Sequence, residues 1–182
     1  MSKLFEAFQS IIPIFILLSF LIIFMTLSIN RRTGRKLDTL NKKVHYLIFI
    51  GLMLSIIGTL LLTLLPSSNP EKVTQLVPFY SILDTFEYAA DYAIINSIGM
   101  NILLFVPFGF FLFLIIRQEI ITVFFAFLFS AAIEFLQYAL PIGRISNVDD
   151  VILNTLGGII GMLAGVIVLK FGIVYNRVRK GK

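Results

Sequence analysis

Five apolar stretches dominate this chain, and each is long enough to cross a lipid bilayer, which takes about 20 residues of helix. They run from Phe8 to Ile29, Tyr46 to Leu65, Ile98 to Ile116, Ile120 to Leu140 and Val151 to Val174. Hydrophobic residues make up 58% of the 182 residues, and charged residues only 14%. No stretch alternates as a membrane barrel strand does, and backbone in lipid must otherwise satisfy its hydrogen bonds within helices. The sequence therefore predicts an all-α integral membrane protein with about five transmembrane helices.

The chain divides by composition into three predicted regions. Residues 1–75 form a two-helix membrane hairpin, residues 76–175 carry the polar motifs, and residues 176–182 form a basic tail. The absence of cysteine excludes disulfides, thiolate nucleophiles and thiolate metal sites. The single histidine, His45, stands in a basic loop and is assigned no chemistry.

Lysine and arginine are unevenly distributed around the apolar stretches. Of the 15, six lie in the loop between the first two stretches, and six more lie at Arg117 and from Lys170 onward. With five helices these twelve share one face, which the positive-inside rule assigns to the cytoplasm. The sequence therefore predicts an amino terminus outside the cell and a carboxyl terminus in the cytoplasm. The net charge of +5 is then attributed to anchoring at anionic lipid, and no nucleic-acid partner is predicted.

Glu134 and Gln137 are polar residues inside the fourth apolar stretch, and their spacing places them on one helical face. A charged side chain at the centre of a membrane helix costs at least about 2.5 kcal/mol, so such a residue is a functional-site candidate by default. Glu134 lies roughly 10 Å below the helix end at Pro141. On the predicted topology, this places it in the outer third of the membrane.

Other polar residues lie near the same predicted end. Asn101 is near the start of the third stretch, Arg144 lies in the turn before the fifth, and Asp150 and Asn154 share a face of the last helix. The sequence predicts one outward-facing pocket, whose members are Asn101, Glu134, Gln137, Arg144, Asp149, Asp150 and Asn154. Two structural alternatives remain. Arg144 can neutralise a carboxylate in a polar network, and a helix dipole favours an aspartate at a helix start.

The segment from Leu76 to Tyr92 has the pattern of an amphipathic helix. Phe79, Ile82, Leu83 and Phe86 recur at helical spacing, and Pro78 suits a first helical position. The segment is predicted to lie on or dip into the outer membrane interface. A lid packed against the other helices is the alternative.

Several of these motifs occur together in one known family. They are N-x-x-x-F-x-P-x-G from Asn101 to Gly109, E-x-x-Q at Glu134 and Gln137, Arg144, the Asp149-Asp150 pair, and N-x-x-G at Asn154 and Gly157. In order and spacing they resemble the VanZ-like family, over roughly Leu76 to Gly165. That family's namesake is associated with low-level resistance to teicoplanin, a lipoglycopeptide that acts on cell-wall precursors outside the membrane. The resemblance implies a bacterial plasma-membrane protein of the cell envelope, without implying a particular reaction.

An enzyme acting on a lipid or lipid-linked envelope precursor is the first functional hypothesis. Glu134 and Asp150 are its candidate catalytic residues, with Glu134 as general acid or base. Arg144 would hold a phosphate or carboxylate. The candidate substrate-binding residues are Asn101, Gln137, Arg144, Asp149 and Asn154. Asp149 and Asp150 could recruit Mg²⁺ or Ca²⁺, but their spacing shows no such site, so no cofactor is predicted.

Two other functions are compatible with the sequence. The protein can bind or shield an envelope lipid or a lipoglycopeptide without turnover. A small transporter or flippase is disfavoured, because the polar groups do not continue toward the cytoplasmic side. Gly157, Gly161 and Gly165 form a small-xxx-small ridge, which makes a homo-oligomer through these glycines a further hypothesis.

Overall fold

The fold is almost entirely helical, as seen in a computed structural model that describes residues 12–24, 40–66, 74–88 and 98–180. The elements are α1 (Ile12–Phe24), α2 (Leu40–Leu64), β1 (Thr74–Gln75), α3 (Tyr80–Tyr88), α4 (Met100–Ile116), α5 (Glu119–Ala139), β2 (Ser146–Asn147) and α6 (Val148–Lys180). Most of the basic loop between α1 and α2, and the last two residues of the basic tail, lie outside the described residues.

Each of the predicted apolar stretches overlaps an apolar helix among the described residues. Within the described residues, the segments long and apolar enough to cross a bilayer are Val44–Leu64, Glu119–Ala139 and Val148–Phe171. Two shorter apolar helices, Ile12–Phe24 and Met100–Ile116, accompany them. The prediction of an all-α membrane protein is therefore confirmed.

The last helix begins earlier than predicted. It starts at Val148 rather than Val151, so Asp149 and Asp150 belong to its first turn and not to the preceding loop. The cause is a local cap, because the side chain of Asn147 accepts the backbone N–H of Asp149 at 3.0 Å. The two aspartates are therefore rigidly attached to α6.

The chain forms two compact units, Met1–Leu65 and Pro66–Lys182. In the first unit, α1 approaches α2 at Gly58, where an added Cβ would lie 3.3 Å from the ring of Phe15. The hydroxyls of Ser55 and Thr63 donate to carbonyls of their own helix. These bonds satisfy two polar side chains within an apolar helix.

In the second unit, α6 packs against α4 along its glycine ridge. A Cβ on Gly157 would lie 2.1 Å from the carbonyl oxygen of Ile102, and one on Gly161 would lie 2.0 Å from that of Val106. Gly165 continues the ridge against the same helix. Small residues permit this close approach of two backbones in a membrane. The ridge therefore packs on α4 of the same chain, and the homo-oligomer through these glycines stays a prediction.

Helix α5 packs against both α4 and α6. Gly158 of α6 approaches Ala126 of α5, where an added Cβ would be 2.6 Å from the alanine Cβ. The Phe129 ring of α5 stacks on Phe108 at 4.8 Å and contacts the buried Phe105 at 5.6 Å, centroid to centroid. These contacts bring together the start of α4, the end of α5 and the start of α6.

The predicted amphipathic segment forms α3, and its apolar side chains Leu83 and Phe86 are exposed. Pro78 does not begin the helix as predicted, because Phe79 has a left-handed φ of 65° that interrupts helical geometry before Tyr80. Ahead of the helix, β1 pairs in parallel with β2 and connects this segment to the residues before α6.

Candidate functional site

The predicted site residues lie at one end of the second unit, where α4 begins, α5 ends and α6 begins. Four are buried, namely Glu134, Gln137, Asp149 and Asn154. Three are half-buried, namely Asn101, Arg144 and Asp150.

Glu134 is fixed to the segment that leads into α6. Its side-chain Oε2 accepts the backbone N–H of Asn147 at 2.7 Å, and its backbone carbonyl accepts the hydroxyl of Ser146 at 3.1 Å. Since Asn147 also caps α6, this bond sets the position of the Glu134 carboxylate relative to the first turn of α6. The side chain remains 7% exposed.

Asp150 connects α6 with α4 and faces Glu134. The amide Nδ2 of Asn101 donates to Asp150 Oδ1 at 2.7 Å. The Asp150 carboxylate is also close enough to those of Glu134 and Asp149 for electrostatic repulsion. The structure thus brings together three predicted residues, Asn101, Glu134 and Asp150, from three different helices.

Arg144 lies in the connection between α5 and α6 and is half-buried. Burial lowers the pKa of its guanidinium. Both roles expected of Arg144, neutralising a carboxylate and holding a phosphate or carboxylate of a ligand, stay predictions.

Asp149 is engaged by the protein's own backbone. It is fully buried, and its two oxygens accept the N–H groups of Phe79 and Ile82, the second at 3.1 Å. Both donors stand at the start of α3, where N–H groups lack partners inside the helix. The Asp149 carboxylate therefore caps α3, and we assign it the role of positioning that helix. A role of Asp149 in substrate binding stays a prediction.

Asn154 lies one turn beyond Asp150 on α6. Its Nδ2 donates to the Oγ of Ser130 at 2.9 Å, which links α6 to α5. Its Oδ1 is buried and has no hydrogen-bond partner among the described residues. Sequence reasoning missed Ser130, although its position four residues before Glu134, on the same helical face, was a signal that could have identified it.

The described residues include no group of three or more His, Cys, Asp or Glu side chains placed to hold a metal ion. Asp149 already accepts two backbone N–H groups. The proposed recruitment of Mg²⁺ or Ca²⁺ by Asp149 and Asp150 thus gains no support from this part of the chain.

The chemistry available here is that of paired carboxylates. When two such groups are neighbours, one can hold a proton while the other accepts one, so the pair can divide the roles of acid and base. Glu134 and Asp150 have this relation, and each is held by a different donor.

Comparison with known proteins gives one match. A family model described as VanZ/LLP1 matches residues 11–169, which cover most of both units and all seven predicted site residues. No curated protein and no solved structure matches the chain.

Proposed function

Because this chain belongs to the VanZ/LLP1 family, we propose that it acts on a lipid or lipid-linked precursor of the bacterial cell envelope. In this proposal the acidic end of the second unit is an outward-facing polar pocket at the outer leaflet. Teicoplanin acts on cell-wall precursors at that membrane face, so a contribution to teicoplanin resistance follows as part of the proposal.

The observation that carries the proposal is the pair formed by Glu134 and Asp150. A purely structural pair of buried charges normally combines opposite signs, because an unpaired buried charge is costly. Here two groups that carry the same charge when ionised, Glu134 and Asp150, lie close enough for electrostatic repulsion. Ionisable groups within membrane-spanning helices are candidates for functional sites by default.

The proposed roles follow from the contacts. Glu134 acts as general acid or base, and Asp150, held by Asn101, is its partner. Gln137 and Asn154 orient the head group, and Arg144 holds a phosphate away from the acidic pair. Asp149 fixes the start of α3 next to the site.

Binding without turnover is the second candidate function. The observation that favours it is the exposed apolar surface of α3, where Leu83 is 63% and Phe86 60% exposed. Such side chains can contact the acyl chain of a lipid or of a lipoglycopeptide. In that case Glu134 and Asp150 select the head group and do not transform it.

The test compares wild type with Glu134→Gln, which keeps the side-chain volume but removes the ionisable group. Glu119→Gln is the matched control, because Glu119 is an exposed acid in the first turn of the same helix. Each purified protein is incubated with total envelope lipids, and bound and converted species are read by mass spectrometry. A product formed by wild type and the control but not by Glu134→Gln supports an enzyme.

Retention of a lipid without any product, weakened only in Glu134→Gln, supports the binding function. If all three proteins neither retain nor convert a lipid, the proposal is refuted.

A further inference from the structure

Four polar side chains form two facing rows between α5 and α6, which we call the acceptor ladder. Ser130 and Glu134 lie one turn apart on α5, and Asn154 and Asp150 lie one turn apart on α6. A hydrogen bond of 2.9 Å joins Asn154 to Ser130, and at the next level the carboxylates of Glu134 and Asp150 are close enough for electrostatic repulsion. The ladder thus runs from the helix ends into the buried interface.

The side chains of the ladder offer mainly hydrogen-bond acceptors, because two of the four are carboxylates. Asn147 donates to Oε2 of Glu134 and Asn101 donates to Oδ1 of Asp150, so one oxygen of each carboxylate is engaged. The side chain of Ser146 is a further hydrogen-bond donor close to the Glu134 carboxylate. At the inner end, the Oδ1 of Asn154 is buried and unpartnered, and that residue is only 3% exposed.

A buried acceptor without a donor is costly, by about 1–3 kcal/mol, and native proteins rarely leave one unsatisfied. Asn154 provides evidence independent of the acidic pair, because its amide is neutral and lies one turn deeper. Both observations point to the same missing partner, a group that donates hydrogen bonds. An anion such as a phosphate would be repelled by the carboxylates and would offer more acceptors where donors are needed.

We infer that the group bound at the acceptor ladder is a hydrogen-bond donor, an ammonium or hydroxyl carried by a lipid head group, and not a phosphate or carboxylate. This inference rests on the proposed function and specifies its substrate class. The phosphate of such a lipid lies outside the ladder, where Arg144 supplies a cation in the connection between α5 and α6. The ligand is therefore a head group with a donor end and an anionic end.

The test uses nanodiscs or detergent solutions that contain the full chain and one of four lipids with matched acyl chains. Phosphatidylethanolamine carries an ammonium donor and phosphatidylglycerol carries hydroxyl donors. Phosphatidylcholine has a cation without donors, and phosphatidic acid has a bare phosphate. Native mass spectrometry measures the relative retention of each lipid.

The test variant is the double substitution Ser130→Ala with Asn154→Leu. It removes both partners of the inner hydrogen bond together. This is far less disruptive to folding than leaving one of them buried without a partner. Thr155→Val is the matched control, because the Thr155 hydroxyl donates to Val151 of its own helix and lies outside the ladder.

Wild type and the control are expected to retain a donor lipid at least about tenfold better than phosphatidic acid or phosphatidylcholine. The ratio of retained phosphatidylethanolamine to retained phosphatidylglycerol shows whether the ammonium or the hydroxyl is the preferred hydrogen-bond donor. In the double variant this preference falls by about tenfold, as expected for the loss of one hydrogen bond to the ligand.

Two results would overturn the inference while leaving the proposed function intact. One is a preference for phosphatidic acid, and the other is equal retention of all four lipids, which would mean that water satisfies the ladder. A donor preference that the double variant leaves unchanged would also overturn it. Failure of wild type to retain any of the four lipids would overturn the inference, and the incubation with total envelope lipids then tests the proposed function separately.

Discussion

The contact between Asp149 and α3 makes a quantitative prediction about the stability of that helix. Helix α3 has only nine residues, and isolated helices shorter than about 12 residues are marginal in water. Its first turn depends on the Asp149 carboxylate, which accepts the N–H groups of Phe79 and Ile82. Asp149→Ala removes both acceptors at once.

The size of the effect follows from these two bonds. A hydrogen bond to a charged group contributes about 1.5 kcal/mol at the lower end of the measured range, so two contribute about 3 kcal/mol. That free energy corresponds to roughly a 100-fold change in the local equilibrium between closed and open α3. Asp149→Asn keeps one neutral acceptor and is expected to change the equilibrium by about tenfold.

Hydrogen–deuterium exchange of the α3 amides in detergent micelles measures this equilibrium directly. Glu119→Ala is the control, since it removes an acidic side chain from the first turn of α5 without touching α3. The α3 amides are expected to exchange fastest in Asp149→Ala and more slowly in Asp149→Asn. They should exchange slowest in wild type and in the control. Unchanged α3 exchange in Asp149→Ala would refute the assignment of Asp149 as the cap.

Three further predictions concern packing and the site. Gly161→Ala is expected to lower the melting temperature strongly, because its Cβ would lie 2.0 Å from a backbone oxygen of α4. Gly58→Ala should change the melting temperature little, because its Cβ would meet only a movable ring at 3.3 Å. Equal shifts in thermal unfolding would contradict the close packing of α6 on α4. Phe105→Ala empties a fully buried position and is expected to cost about 3–5 kcal/mol, measured by chemical unfolding; a cost below about 1 kcal/mol would contradict the aromatic core. Asn101→Ala removes the donor to Asp150 and should reduce lipid conversion or retention in the mass-spectrometric assay, and wild-type levels would exclude this bond from the site.

The sequence predicted the membrane helices well, because crossing a bilayer requires a long apolar stretch that any window of hydropathy detects. It also predicted that Asn101, Glu134 and Asp150 lie together. Short connections keep the ends of consecutive helices close, so polar residues near those ends are expected to lie close to one another.

The remaining features depend on contacts that no local pattern encodes. Asp149 reaches Phe79 across 70 positions of sequence, and this contact exists only after α4, α5 and α6 have assembled. A small-xxx-small ridge predicts close helix packing but not the partner, and the partner of Gly161 is α4 of the same chain. Helix α6 starts before its apolar stretch because the side chain of Asn147 caps the helix by accepting the N–H of Asp149.

The central claim is that Glu134 and Asp150 are held together for a ligand and not for the stability of the fold. The most direct test is the melting temperature of Glu134→Gln at pH 8.5, with and without donor lipid. Glutamine still accepts the Asn147 N–H but removes the repulsion with Asp150, so the lipid-free variant is expected to melt about 2–4 °C higher than wild type. Lipid should then stabilise wild type and not the variant. A lower melting temperature in Glu134→Gln, with the same lipid effect as wild type, would contradict the claim and make the pair structural.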